Sequence, residues 1–411
     1  VRETNTVNVL TSKGVKLGEG RLKQALDYPK FKGPVRLLVL DTGYLVVRDL
    51  FDGAADLGWE VFSVPMKSKG EADSAFLADL LKALVHHRPD FIITMNHLGF
   101  DEKGILVGIL ADYKIPTASW FVDHPMPILG PAGINSSPFI QVFSFERTSL
   151  VWLSAHGYED PVYLPTGANR RHFHPAMIDR ELRETLSCSL SFAGNSWWTK
   201  ARCEPEPSIR KAAEKAARRF RIDKHASLDG LESMLVRSFS GAPRDRYAVA
   251  QVLLAEASMQ RRRDFARALN PLGIRIFGDP YWDKMAPGID LVPFVDNERG
   301  LPALFSACSI NANITAVQMP TAVNQRVWDV PAAGGFLLTD DQEDALMHFE
   351  ENKEIAVYRT FEEAADKASY YLSNDRERAA FSACALDKID KFHCLTHRLK
   401  VVGDKMKRRF G

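Results

Sequence analysis

The chain reads as an α/β protein built from two Rossmann-like, doubly wound domains. Three observations predict this. Short apolar runs of the buried parallel-strand kind alternate with helical segments along the chain. Pro165, Gly167 and Pro175 interrupt that alternation near its middle. A length of 411 residues, 45% of them apolar, exceeds what one ordinary core needs.

Residues 1–33 are polar and punctuated by glycines 14, 18, 20 and 33, which points to an extension or a hairpin. The rhythm starts at VRLLVL (35–40), a strand, followed by a turn at Gly43 and Tyr44 and a helix that Gly58 ends. Strands follow at 61–64, 91–95 and 117–121, with helices at 71–87 and 104–112 between them. Doubly wound sheets hold ligands beyond the carboxyl ends of their strands, so Asn96 and His97, and Asp123 and His124, are the informative residues of this half. A strand at 140–145, a helix at 146–156 and a strand at 162–164 complete a first domain, residues 1–175. A second domain, 176–385, is expected to open with a strand at 190–193, continue as helix over much of 208–269, and return to strand at 274–277. Gly278 follows that strand end and could form part of a base pocket, with Tyr281 and Trp282 as stacking or packing surfaces. Residues 386–411 form a last, amphipathic helical segment.

The densest chemistry lies in NANITAVQMPTAVNQRVWDVPAAGGFLLTD, residues 311–340. It reads as strand, polar loop, helix, a Gly334 and Gly335 stop, and a buried strand. A loop running through Thr321 into a helix leaves backbone N–H groups free to receive an anion. Arg326 could clamp a phosphate there, and Asp329, three residues on, could take ribose hydroxyls. On this stretch alone a second reading stays open, in which Arg326 and Asp329 are a solvated pair and the loop only a connection.

Composition excludes several classes. Fifty-three basic against fifty-two acidic residues leave a net charge of +1, which gives no field for nucleic acid. Five cysteines without CxxC spacing indicate neither a zinc site nor a disulfide framework, and His172 and His174 read as hinge residues, so no metal ligands are nominated. The basic clusters at 215–221 and 261–263 read as solvated helical faces. With no run near the ~18–20 apolar residues of a membrane span and no signal-peptide plan at the start, a cytoplasmic location is expected. The first strand leads into DTGYLV, without the G-x-G-x-x-G turn of a nicotinamide dehydrogenase.

NQRVWDVPAAGGFLLTD (324–340) resembles the donor-site helix of the CgeB-like (spore maturation protein type) glycosyltransferases, relatives of the group-1 enzymes with the GT-B fold. LPTGAN (164–169) with FHP (173–175) resembles their interdomain segment, and SFAGN (191–195) the strand and loop opening their second domain. IAVY (355–358) and CLTHR (394–398) sit where that family has a strand and a closing helix. The resemblance implies two domains facing across a cleft, with the last helix returning to the first domain. It implies a nucleoside diphosphate sugar as donor, a UDP-sugar favoured, and a glycan or protein acceptor hydroxyl; because the helix-start loop and Arg326 can carry phosphate charge and no Asp-x-Asp stands at a strand end, no obligatory metal or cofactor is expected. The donor contacts would be Gly194, Asn195, Gly278, Thr321, Asn324, Arg326 and Asp329, with Lys200 or Arg275 assisting. Group-1 enzymes often use two glutamates separated by seven residues; here Asp329 stands at the second position and Thr321 at the first. Proton handling on the acceptor side falls to Asp123 and His124, with His97 next. A sugar-nucleotide epimerase of the same fold and a non-catalytic sugar- or nucleotide-binding module are the alternatives.

Overall fold

Phe91–Met95 and Thr117–Phe121 are buried along their whole length, a pattern that only a sheet covered by helices on both faces allows. The computed structural model of the chain describes residues 9–10, 16–17, 19–43, 45–66, 74–101, 103–129, 135–175, 179–217 and 243–411. Tyr44, residues 71–73 of the expected second helix, and residues 218–242, with part of the 215–221 basic cluster, lie outside them. The described residues divide into two compact units. The first comprises those of Val1–Phe145, Ser149–Leu164 and Leu395–Gly411, and the second those of Glu146–Thr148 and Pro165–Cys394.

In the first unit β1 (Val9–Leu10) pairs antiparallel with β2 (Lys16–Leu17), inside the stretch that the sequence reads as an extension or a hairpin. Its main sheet contains β3 (Arg36–Asp41), β4 (Glu60–Pro65), β5 (Phe91–Met95), β6 (Thr117–Phe121), β7 (Ile140–Ser144) and β8 (Val162–Tyr163). The spatial order is β4-β3-β5-β6-β7-β8, every pair parallel, with Val39 beside Ile93 and Ser119 beside Val142. Strand order reverses between β3 and β5. One face of this sheet is closed by the helix Leu395–Phe410, whose Leu395, Leu399, Val402 and Met406 join Val39, Ile93 and Trp120 in one core. That helix lies on Leu45–Asp56. Gly53 permits the approach, because a Cβ there would come within 2.8 Å of Leu399 Cδ1.

The second unit holds β9 (Leu190–Ala193), β10 (Arg275–Gly278), β11 (Asp290–Pro293), β12 (Ile310–Ala312), β13 (Leu337–Asp340) and β14 (Ala356–Tyr358). These also pair in parallel throughout, in the order β11-β10-β9-β12-β13-β14. This is the dinucleotide-fold order, and it reverses between β9 and β12. Two apolar clusters cover the faces, one around Phe192, Phe265 and Trp282, the other around Phe305, Trp328 and Leu337. The fold class read from the sequence is thus present as two six-stranded parallel α/β sheets.

Two elements differ from the sequence reading. The helix expected from residue 146 begins at Ser149, because Glu146 turns its carboxylate to other partners, described below. The C-terminal segment is not one helix: Asp375–Lys388 and a π-type turn at Ile389–His393 precede an extended Cys394 (ψ 153), and only then does Leu395–Phe410 begin. Within the second unit, Ala168 N–H donates to the His393 carbonyl at 2.9 Å, and Gly167 is required there because a Cβ would lie 2.7 Å from that same oxygen.

Gly335, after the left-handed Gly334 (φ 78), meets similar crowding: a Cβ would run into the Phe305 carbonyl oxygen and lie 2.8 Å from Asn311 Nδ2. Gly335→Ala should therefore lower stability by about 1–3 kcal/mol in urea unfolding. Gly20→Ala, in the helix Glu19–Leu26 with nothing within 4 Å, should be neutral or raise stability by up to ~1 kcal/mol. Equal effects would mean that the contact at Gly335 is not tight.

Candidate functional site

The carboxyl ends of β9 and β12 flank the point of strand-order reversal, where doubly wound sheets bind ligands. After β9 come Gly194 and the exposed Asn195; after β12 comes the buried Asn313. Below them lies the fully buried ring of Phe192, and two guanidinium groups rest against it. Arg326 is 5.1 Å from the ring centroid and Arg262 is 5.5 Å from it. Arg326 Nε donates to Asn313 Oδ1 at 2.9 Å, and Asn324 Nδ2 donates to the same oxygen at 3.0 Å. Arg262 donates to the Asn195 carbonyl and, at 2.9 Å, to its side-chain oxygen. Gly194 leaves room for this, since a Cβ there would sit 2.9 Å from the Phe192 ring and 3.4 Å from Arg326 Nη1.

The electrostatics follow from burial. Arg262 is only 5% exposed, and Arg326 is partly buried. Desolvation lowers Arg326 to about 10, against the pull of Asp329 and Asp340, so it stays charged at neutral pH. Desolvation and the repulsion of Arg326 also lower Arg262. Neither arginine enters an ion pair among the described residues; Asp279, Asp329 and Asp340 act on them only from a distance. Two like charges held together in this way are stabilised by an anion that can accept from both.

Arg262 corrects the expectation of a solvated basic face at 261–263. Successive helical residues are turned by ~100°, so three in a row cannot share one face. Within the helix Pro243–Leu269, Arg263 is half-buried beside Asp264, Arg261 pairs with Asp340 at 3.1 Å, and Arg262 turns inward to Asn195. The signal that could have found it was this rotation, read against the apolar residues Met259, Phe265 and Ala266, which are core.

The loop at Thr321 does receive an anion, and that anion is a carboxylate of this chain. Glu146, fully buried, accepts from Thr321 N (3.0 Å), Thr321 Oγ1 (2.5 Å) and Ala322 N (2.9 Å), and also from Thr148 N and Oγ1. Burial raises its pKa, but the Thr321 hydroxyl and the three amides outweigh burial and hold it below the usual carboxylate range. Its neighbour Arg147 pairs with Asp344 at 2.7 Å. Sequence reasoning missed Glu146, because it lies 175 positions from Thr321. Arg326 opens the helix Arg326–Ala332, and Asp329, buried one turn later, accepts from Gln325 Nε2 at 2.8 Å, which also donates to the Gly167 carbonyl.

Gly278 ends β10 against this site. A Cβ there would lie 2.6 Å from the Gly194 carbonyl, to which Trp282 Nε1 donates. Trp282 is fully buried and packs. Tyr281 stacks instead on Trp198, ring centroids 6.1 Å apart. Asp279 fixes both turns by accepting from Ser196 N and Oγ and from Tyr281 N. Lys200 is exposed over the Trp197 ring, and Arg275 pairs with Asp290 at the opposite end of β10, away from the site.

In the first unit, Asn96 and His97 both adopt left-handed backbone (φ 51 and 57) at the end of β5. Asn96 ties this turn to the end of β6: its Nδ2 donates to Asp123 Oδ2 at 2.8 Å, and its Oδ1 accepts from Val122 N and Asp123 N. Asp123 is partly exposed. His124 is buried, and its Nδ1 accepts from Met126 N. His97 is buried too, stacked on Phe100 with Nδ1 2.8 Å from Ser119 Oγ, and burial lowers its pKa to about 3. Its imidazole is neutral at pH 7 and a weak base.

Residues 261–402 match the sequence profile of the family described as Glycosyl transferase-like. The matched stretch contains Arg262, Gly278, Asn324, Arg326 and Asp329, whereas Gly194 and Asn195 precede it. Solved structures extend the likeness over the chain at the level of fold. A UDP-forming α,α-trehalose-phosphate synthase from Burkholderia vietnamiensis matches with a TM-score of 0.52 at 10% identity, covering 92% of this chain and 100% of that one. The corresponding enzyme from Burkholderia xenovorans matches with 0.51 at 11%, covering 91% and 99%. Phage T4 BGT, solved with its UDP-glucose substrate, matches with 0.50 at 13%, covering 92% and 99%. The two sheets are therefore those of the GT-B glycosyltransferase fold. Comparison with curated proteins finds no match in sequence.

Two buried groups give separable acid sensitivities. His97 has a folded pKa below its unfolded value, so the stability linked to its neutral form is full above ~6.5 and declines as pH falls toward 3. Glu146, with a depressed carboxylate pKa, contributes fully above ~4.5 and less as pH drops through its folded value. Unfolding measured from pH 8 to 3 should show His97→Asn flattening the upper part of this decline and Glu146→Gln the lower part. Parallel curves for all three proteins would disprove the assignment.

Proposed function

We propose that the protein is a CgeB-like glycosyltransferase that moves a sugar from a UDP-sugar to a hydroxyl of a glycan or protein acceptor. The observation that carries this reading is the pair Arg262 and Arg326, converging over Phe192 at the strand-order reversal with no carboxylate partner among the described residues. A leaving diphosphate brings the charge and the acceptor oxygens such a pair is built for, and holding that charge is the main electrostatic task in glycosyl transfer. The match of 261–402 to the Glycosyl transferase-like profile supports sugar transfer as the activity. The motif run at 324–340 supports the subtype.

In this reading Arg262 and Arg326 bind the diphosphate, with Gly194 and Asn195 admitting it close to the backbone. Asp329 takes the ribose, and Gly278 and Tyr281 border the base. Thr321 and Asn324 act indirectly: Thr321 shapes the loop through Glu146, and Asn324 steadies Asn313, which aligns Arg326. Asp123 is the acceptor-side base we favour, since it is the solvent-reachable member of its cluster, with Asn96 orienting it and His124 and His97 in support. Among the described residues no helix is long and apolar enough to cross a membrane, and we assign the protein to the cytoplasm.

Calorimetric titration with UDP should show affinity falling ~10- to 100-fold in each of Arg262→Gln and Arg326→Gln, the loss of one charged hydrogen bond each. UMP, which lacks the second phosphate, should bind weakly to all three proteins. Unchanged UDP affinity in both variants would remove this site.

UDP release from a panel of UDP-sugars should persist in EDTA, because two guanidiniums already carry the diphosphate charge. In the same assay Asp123→Asn should cut turnover ~10²- to 10⁴-fold with UDP affinity intact. Abolition by EDTA and recovery with Mg²⁺ would point to a metal instead, and normal turnover of Asp123→Asn would clear Asp123.

A further inference from the structure

At the opposite ends of the same two central strands lies a second reactive group. Cys188 and Cys308 are 120 positions apart in sequence, yet their Sγ atoms are 3.1 Å from each other. The parallel register of β9 and β12 places them there. Ile310 lies beside Leu190 and Asn311 beside Ser191, and the pairing continues backward as Ser309 N–H donates to the Cys188 carbonyl and Ile310 N–H to that of Ser189, both at 3.0 Å. Neighbouring strands lie ~4.8 Å apart, inside the Cα separation a disulfide tolerates, so the sulfurs need to close by only ~1 Å to reach a bond of ~2.05 Å. Both thiols are free here.

The surroundings differ for the two sulfurs. Cys308 is buried at the end of the helix Gly300–Ala307, its Sγ 3.6 Å from the Leu186 carbonyl. Cys188 is partly exposed, so an oxidant reaches it first. One hydrogen bond sets both thiols: it and burial push the Cys188 thiol up, the same bond holds the Cys308 thiol down, and because either sulfur can donate across it, either can carry the thiolate that the nearby Arg275 guanidinium favours.

We propose that Cys188 and Cys308 form a redox-active dithiol that closes to a disulfide in the presence of a low-molecular-weight disulfide such as oxidised glutathione. The Cys188 thiolate attacks one sulfur of glutathione disulfide, whose S–S bond breaks and releases one glutathione thiolate. The Cys308 thiolate then attacks Cys188 Sγ, forming the protein disulfide and displacing the second glutathione thiolate. Two protons pass from the cysteines to the two departing thiolates, the protein loses two electrons, and glutathione disulfide gains them. The bond ties β9 to β12 at the ends remote from Asn195 and Asn313, across the unit's central strand pair. The inference is independent of the proposed glycosyl transfer.

The test is a titration of the full chain with reduced and oxidised glutathione, followed by alkylation, non-reducing peptide mapping and thermal unfolding. Oxidation should remove two of the five free thiols and join the Cys188 and Cys308 peptides. It should raise Tm by about 5–10 °C, because the new loop is long, and dithiothreitol should reverse all three changes. In Cys188→Ser, Cys308 should remain alkylatable and Tm should not respond. The exposed Cys203 serves as reference. Glutathionylation of Cys203 while Cys188 and Cys308 both stay alkylatable would overturn the proposal, as would a lasting glutathione adduct on Cys188 beside a free Cys308.

Discussion

The second unit depends on keeping positive charge at the reversal of its sheet. A guanidinium inside a protein loses its hydration, and the usual remedy is a carboxylate in contact. At this place the fold supplies amide and carbonyl oxygens from Asn195 and Asn313 and the face of Phe192, and holds the carboxylates of Asp279, Asp329 and Asp340 back. Cation–π contact and neutral acceptors orient the two arginines without neutralising them. The order of strands, the small residues Gly194 and Gly278, and the inward turn of Arg262 all serve this one arrangement.

A few residues away the chain solves the opposite problem. The amides at Thr321 and Ala322 are donors that a loop leading into a helix leaves unsatisfied, and Glu146 satisfies them completely. With its oxygens shared among Thr148, Thr321 and Ala322, that carboxylate has an anchoring role. The two halves of the motif thus divide their labour: the loop is closed by an internal anion, and the arginines of the same neighbourhood keep their charge for an external one. Arg326 lies between, aligned by Asn313, which Asn324 steadies from the far side of the loop.

The fold was legible because buried parallel strands are written as continuous apolar runs, and FIITM, TASWF and LSFA are unambiguous on that count. The helix with Arg326 and Asp329 was legible because loop, helix and glycine stop are local. What escaped was whatever depends on chain partners far apart in sequence. Nothing near residue 146 announces that its carboxylate will cap Thr321, and nothing near Cys188 announces Cys308. Arg262 escaped for a different reason: a run of three arginines reads as a charged face unless the helical rotation is counted against the core residues on either side. His97 looked like a base because of where it stands in the sequence, and only its enclosure by Phe100 and Phe121 shows how weakly it holds a proton.

The helix Leu395–Phe410 belongs to the first unit although the whole of the second unit precedes it in the chain. Synthesis from the amino terminus therefore exposes Leu45–Asp56 and the sheet beneath it long before Leu399 can pack beside Gly53. The last strand of the second unit, β14, is made well before that helix, so most of the second unit's core can assemble while the first still lacks one wall. The half of the molecule made first is the half completed last, and its open apolar face is where a nascent chain of this protein would need shelter.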